Sequence, residues 1–216
     1  MDIISGINDE KEIIVVTKCL VIYTNRFGDF ITEYFSSDEL NKALEIQQKY
    51  LAVFPSINQK GEGFSNETVN KIETNYNSTL YNDHNRIQRS FQFLQALRCS
   101  IFLPQKISLY IPIFECLFSI DANEVSHKVS ERIAYYIGSD KDERIEIFSL
   151  MKDCYDLRSK FFHGSNLGKK HNSVDAQKNM ADKIDSICRR VLLKVIYEDA
   201  AIFLDTNSNL QKFLIV

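Results

Sequence analysis

Arg158 and His163 are the two side chains of this 216-residue sequence whose types and spacing most suggest chemistry. They lie in Tyr155-Asp156-Leu157-Arg158-Ser159-Lys160-Phe161-Phe162-His163-Gly164. An arginine stays charged, and its planar fork matches the oxygens of a phosphate. A histidine titrates near neutrality, so it can take up a proton and return it. The pair therefore suits charge stabilisation combined with acid–base work. A helix is expected over 140–163, with an apolar stripe through Ile147, Met151, Cys154 and Phe161. Arg158 falls on that stripe, where a charged group is rarely buried unless it is paired. It must face a counter-charge, another subunit or an anionic ligand. Five residues at about 100° each put His163 about 140° around the helix from Arg158. The two cannot meet on one straight helix. Either the helix ends near His163, which Gly164 at the following position favours, or a second copy of the chain completes the site. The plainer alternative is an arginine with a structural partner and a histidine capping a helix C-terminus.

More of the sequence is ordered around this pair. Ile113-Phe114-Glu115-Cys116-Leu117-Phe118 comes first, then Asn123-Glu124-Val125-Ser126-His127-Lys128-Val129-Ser130-Glu131-Arg132-Ile133-Ala134. Arg144-Ile145-Glu146-Ile147-Phe148 follows, and the Arg–His segment closes the series. These segments, in this order, resemble the Apea-like branch of the HEPN (higher eukaryotes and prokaryotes nucleotide-binding) superfamily. The resemblance spans residues 84 to 203 and leaves the first eighty residues without a counterpart. It implies an up-and-down helical bundle and a homodimer with a composite site. It also implies metal-independent cleavage of RNA, without cofactor, to 2′,3′-cyclic phosphate ends. By residue, Arg158 and His163 match the two fixed motif positions. Ser159 fills the polar position after the arginine. Glu115 matches a glutamate on an apolar helix, either paired with Arg158 or bonded to a backbone amide at the surface. His127 and Arg132 are also family-like, and their amphipathic helix gives them a structural role on a solvated face. The expected setting is a cytoplasmic effector of a prokaryotic anti-phage or toxin-type defence system, with a regulatory partner protein. A non-catalytic HEPN module for dimerisation or ligand binding, acting as sensor or interaction partner, is the second expectation.

The charge distribution bears on both expectations. The net charge is −3, but residues 1–150 carry 15 basic and 21 acidic side chains, and residues 151–216 carry 11 and 8. Between Leu157 and Val174 there is no acid, while Arg158, Lys160, Lys169, Lys170, His163 and His171 all fall there. A local positive field suits a phosphate-bearing ligand, with Lys160, Lys169 and Lys170 as candidates for the RNA backbone. A solvated basic loop is the plainer reading. The acidic total and the lack of an aromatic-rich platform favour a binding or regulatory role.

The elements that must position these residues can be read in outline. Residues 12–24 are rich in Ile and Val and predict a strand, paired with 30–35 around a turn at Asn25–Asp29. Ser36-Ser37-Asp38-Glu39 has the form of a capping box opening a helix to about Phe54, which Pro55 ends. Residues 56–70 are polar and predict a linker. Gly61-Glu62-Gly63 lacks the rest of a phosphate loop. From about Val69 the apolar stripes are helical: Ile87, Phe91, Leu94, Ile101; then Ile107, Ile111, Phe114, Phe118, with Pro112 kinking that helix or in its first turn. Val125, Val129, Ile133 and Tyr136 form the next, closed by Gly138. Met180, Ile184, Ile187, Val191 and Val195 form the last. The expected fold is mainly α: residues 1–70 a small hairpin or α/β extension, and 71–216 the bundle.

Five cysteines, widely spaced and without C-x-x-C, are expected to be reduced core residues, not a disulfide framework or a zinc site. Met1-Asp2-Ile3-Ile4-Ser5 lacks the form of a signal peptide, and no apolar run approaches membrane-spanning length. G-x-S-x-G, H-E-x-x-H and metal-ligand clusters are missing.

Overall fold

The computed structural model describes residues 3–7, 13–17, 24–30, 36–53, 84–120 and 125–215. Its element order is β1 (Ile3–Ile7), β2 (Ile13–Thr17), α1 (Ser37–Val53), α2 (Arg86–Cys99), α3 (Leu103–Phe118), α4 (Val125–Ile137), α5 (Lys141–Phe162) and α6 (Val174–Lys194). A π-helical turn over Val195–Asp199 then runs into α7 (Ala200–Leu204), and α8 (Asn207–Leu214) closes the chain. The described part is mainly helical, as the apolar stripes require. None of its helices is long and apolar enough to cross a membrane. The linker expected at 56–70, the start of the bundle near residue 69, and Cys19 lie outside the described residues.

α3 is the centre of the bundle and packs against α2, α4, α5 and α6. Ile107, Ile111, Ile113, Phe114, Leu117 and Phe118 are fully buried on it. Apolar residues run nearly all round this helix, as expected of one enclosed by others. Pro112 sits inside α3, and the first-turn proline is Pro104 instead. Pro104 is tolerated there because an N–H in the first turn has no intrahelical partner. Edge-on contacts among Phe118, Tyr136 and Phe203, with centroids 5.4 to 5.7 Å apart, tie α7 to α3 and α4. Such pairs contribute about 0.5–1.5 kcal/mol each beyond the area they bury.

Two buried polar groups pin the layers. Asp185 on α6 is 1% exposed, yet accepts from Arg98 Nη2 (3.0 Å), Tyr110 Oη (2.7 Å) and Arg189 Nε (2.7 Å). Burial alone would raise its carboxyl pKa, but those three donors hold it below the usual value. Lys106 is completely buried, and its ammonium donates to Thr24 Oγ1 (2.8 Å), Leu97 O (2.8 Å) and Ser100 O (3.2 Å). All three ammonium protons are thus satisfied by neutral oxygens. Thr24 in turn donates its backbone N–H to Arg98 O at 2.7 Å, so the segment around Thr24 is tied to the end of α2.

Burial, and Arg98 nearby, push the Lys106 pKa down from 10.5 to about 8. Between those two values the unfolded chain binds more protons than the folded one, so stability rises with pH there. The raised Cys116 and Cys188 thiols act in the opposite sense above about pH 9, so the rise is read as a difference: in urea titrations between pH 8 and 10.5 the stability of the wild type relative to Lys106→Met should increase with pH. Equal slopes in the two proteins would refute the assignment.

The N-terminal extension departs from expectation. β2 lies within the predicted strand, but its antiparallel partner is β1, in the register Ile3↔Thr17 to Ile7↔Ile13. A run of Ile and Val identifies a strand without identifying its partner. Asn25–Asp29 does turn, with Asn25 N–H donating to Asp29 O (3.0 Å) and Gly28 at φ 87°. Thr24, expected to end the strand, is instead the acceptor for Lys106. Residues 31–35, the expected strand partner, lie outside the described residues. α1 opens on the predicted capping box: Glu39 N–H donates to Ser36 Oγ (3.2 Å) and Ser36 N–H to Glu39 Oε2 (2.8 Å). Leu40 and Leu44 on α1 are exposed, and α1 meets the bundle where Lys49 Nζ lies 3.9 Å from the centre of the Tyr197 ring.

Candidate functional site

The motif helix is α5, held at both ends by features visible in its sequence. Asp140 caps the N-terminus by accepting from Glu143 N–H at 2.9 Å. At the other end Gly164 takes φ 67°, Ser165 N–H donates to Lys160 O (2.8 Å) and Gly164 N–H to Phe161 O (3.1 Å). These two bonds form a Schellman motif, which satisfies the last carbonyls and requires a left-handed residue where glycine stands. His163 is therefore the C-cap residue itself. Its ring is exposed and makes no hydrogen bond or ion pair with any described residue. A cationic imidazole is favoured at a helix C-terminus.

Arg158 is half-buried. Its guanidinium lies over the Phe162 ring, 5.6 Å from the centroid. Its Nε is enclosed and has no hydrogen-bond partner. No described carboxylate pairs with it. The expected pairing with Glu115 is not made, nor is Glu115 bonded to a backbone amide among the described residues. Glu115 instead faces a cavity of about 350 Å³ with Arg86, Arg89 and Cys116. It also lies near Tyr155, whose hydroxyl pKa is raised by burial and by that neighbouring charge. The Tyr155 hydroxyl is enclosed and falls short of hydrogen-bond geometry with any partner. Of these two enclosed polar atoms one turn apart on α5, Tyr155 Oη has the Glu115 carboxylate beside it, while Arg158 Nε has no partner.

Arg158 and His163 do not touch within one chain. His163 follows the ridge of Asp156 and Lys160, seven and three residues earlier, while Arg158 points about 140° away. Ser159 is exposed; its backbone carbonyl accepts from His163 N–H at 3.1 Å, and its hydroxyl makes no hydrogen bond with any described residue.

The basic loop is less open than its sequence suggests. Lys160 Nζ pairs with Asp156 Oδ2 at 2.6 Å, and Lys170 Nζ with Asp153 Oδ1 at 2.5 Å. The Lys160 hydrogen bond holds the Asp156 carboxyl below its usual pKa, with His171 adding to the effect. His171, expected in a solvated loop, is 2% exposed, with Nε2 at 3.4 Å from Asp156 and Nδ1 enclosed without a partner. The loop folds back along α5, so acids just upstream of the acid-free stretch neutralise part of its charge. Among the predicted backbone-binding lysines, Lys169 is exposed and without an ion pair to any described residue.

The structure adds an aromatic surface beside the motif. Phe102, at the N-cap of α3, packs on Phe161 with centroids 5.9 Å apart, and Phe161 on Phe162 at 5.3 Å. Phe102 and Phe162 remain 56% and 59% exposed, and Ile101 next to them 61%. Phe102 and Phe162 are sixty residues apart, so no sequence window joins them. Three large apolar side chains are thus left open beside the motif.

His127 and Arg132 take structural places, as their helix predicted. His127 lies edge-on to Phe148 at 5.3 Å, and Arg132 Nη1 donates to Phe118 O at 2.7 Å. The described cysteines are all free: Cys154 and Cys188 are in the core as expected, Cys116 is half-buried, and Cys99, at the last position of α2, is exposed and not a core residue. Burial pushes the Cys188 thiol up to about 12 and Cys116 to about 11, so neither ionises near neutrality.

Comparison with protein-family models, with curated proteins and with solved structures returns no match.

Proposed function

We propose that this chain is a metal-independent endoribonuclease of HEPN type, active as a homodimer in which a second copy completes each site. The observation that carries the reading is Arg158: a half-buried guanidinium with an enclosed, unpartnered Nε and no described carboxylate within ion-pair reach. It lies beside an open aromatic surface and on the same helix as a free histidine. Desolvating a cation without a partner is unfavourable unless something anionic arrives. A phosphate supplies that charge, and the fork of the guanidinium fits it.

The chemistry follows from these two groups. An imidazole takes the proton of a ribose 2′-OH, whose oxygen attacks the adjacent phosphorus. The Arg158 guanidinium stabilises the charge building on the phosphoryl oxygens. The imidazole comes from the copy that does not supply Arg158, and the imidazolium it becomes returns its proton to the departing 5′ oxygen. The exposed Ile101, Phe102 and Phe162 are the surface on which that copy packs. In the setting that the resemblance implies, the enzyme is a cytoplasmic defence effector whose activity a partner protein controls.

One observation favours the second reading, a non-catalytic dimerisation or ligand-binding module. Lys160 and Lys170 are neutralised by Asp156 and Asp153, which weakens the field for an RNA backbone.

Single-turnover incubation with pooled RNA in EDTA separates the two. The enzyme reading predicts fragments ending in 2′,3′-cyclic phosphate, no cleavage of DNA, and a dimer by light scattering at micromolar concentration. Intact RNA, or cleavage that EDTA abolishes, favours the module.

A further inference from the structure

The cavity of about 350 Å³ that Glu115 faces lies between α2, α3 and the start of α8. Arg86, Arg89 and Phe93 line it from one face of α2, three and four residues apart. Pro112 and Glu115 line it from α3. Opposite charges on two helices therefore face one space. Arg86 is only 9% exposed. Its Nη1 donates to Leu117 O at 3.0 Å and its Nη2 to Asn207 Oδ1, and both acceptors are neutral. Those bonds use two of the five N–H groups of a guanidinium, and the others remain to donate. Burial, and the Arg89 charge nearby, lower the Arg86 pKa, so both work against the cation. Glu115 is half-buried. Arg86 and Glu115 make no ion pair with each other or with any other described residue.

This arrangement narrows what can occupy the cavity. A simple anion would meet Arg86 but stand against the Glu115 carboxylate, and a dianion would meet that repulsion twice. An amine would pair with Glu115 and be repelled by two guanidinium groups. A neutral apolar molecule would desolvate Arg86 and Glu115 without giving either a partner. A ligand that carries both charges satisfies both residues. Its carboxylate takes the fork of Arg86, and its ammonium donates to Glu115. The volume is at the small end of the range for sites that hold one small molecule. Phe93 and Pro112 supply an apolar wall for the rest of the ligand.

We propose that this cavity binds a free α-amino acid with an apolar side chain, its carboxylate at Arg86 and its ammonium at Glu115. The site is separate from Arg158 and His163 and stands whether or not the chain cleaves RNA.

Calorimetry on the full chain tests it with L-leucine and two fragments of that molecule. One is 4-methylpentanoate, which lacks the ammonium. The other is 3-methylbutylamine, which lacks the carboxylate. L-leucine should bind, and each fragment should bind about 10- to 100-fold more weakly, because each leaves one charge in the cavity unpaired. Glu115→Gln keeps the shape of the side chain and removes its charge. It should weaken L-leucine by a similar factor, while 4-methylpentanoate should bind as tightly as before or more so. The comparison of ligands needs only the wild type, so it decides the matter even where Glu115→Gln does not fold. No binding of L-leucine at millimolar concentration overturns the proposal. So does 4-methylpentanoate matching L-leucine in the wild type, or unchanged binding of L-leucine by folded Glu115→Gln.

Discussion

Alanine in place of His163 should slow RNA cleavage by about 10²–10⁴-fold, because it removes the group that carries the proton. Arg158→Ala should slow it by about 10²–10³-fold, the usual cost of losing one charge-stabilising donor. The two losses should differ in kind. A general base is replaced in part by a small external base, so imidazole in the buffer should restore some activity to His163→Ala and none to Arg158→Ala. Neither change should disturb folding. His163 is exposed and its ring bonds to nothing described, and Arg158 makes no ion pair with any described residue. Thermal melts within about 2 °C of wild type are expected for both, in line with surface substitutions. Undiminished cleavage by His163→Ala would remove the acid–base role and leave the module reading ahead.

The largest loss of stability should come from Asp185→Ala. Its carboxylate is almost completely buried and serves three donors on two other positions of the bundle and its own helix. Removing it leaves the fully buried Tyr110 hydroxyl without an acceptor and two guanidinium groups without a counter-charge. Arg189 is 61% exposed and can turn to water, which holds the cost to about 3 kcal/mol, the low end for breaking a buried pair. In a chain of this size that lowers the melting temperature by about 6–12 °C. Asp182→Ala is the control: it breaks an ion pair with Arg26 in which both side chains are about half exposed. That change should move the melt by less than about 1 kcal/mol. Similar melts for the two variants would show that the buried carboxylate does not hold the layers together. The pH dependence has a definite sign. The carboxyl pKa of Asp185 is lowered by folding, so its contribution is present above the ordinary carboxylate range and is lost as pH falls through the folded value.

What could be read from the sequence was local. The motif helix runs from a cap at Asp140 to a left-handed Gly164, and both ends carry residues with one structural reason to be there. The box at Ser36 and Glu39 is equally explicit. The stripes of α3, α4 and α6 predicted their buried faces because a helix repeats on a fixed period. What escaped depends on residues brought together from a distance. Lys106 and Asp185 are charged side chains that pattern alone assigns to solvent, and only the chain's path brings Thr24 to one and Tyr110 to the other. The stretch from Leu157 to Val174 is basic in sequence, but the loop returns to Asp153 and Asp156. Phe102 joins Phe161 across the bundle. His127 and Phe148 meet only because α4 packs on α5.

On the proposed reading, Arg158 and His163 of one chain, about 140° apart around α5, do not share a site, and each site takes them from different copies. Mixing the two inactive variants tests this directly. A dimer of one Arg158→Ala chain with one His163→Ala chain holds a single site in which both residues are intact. After random exchange of subunits, about half of the dimers are mixed and one site in two is complete, so cleavage should recover to roughly a quarter of wild type. A mixture no more active than either variant alone, with exchange verified, would contradict the shared site.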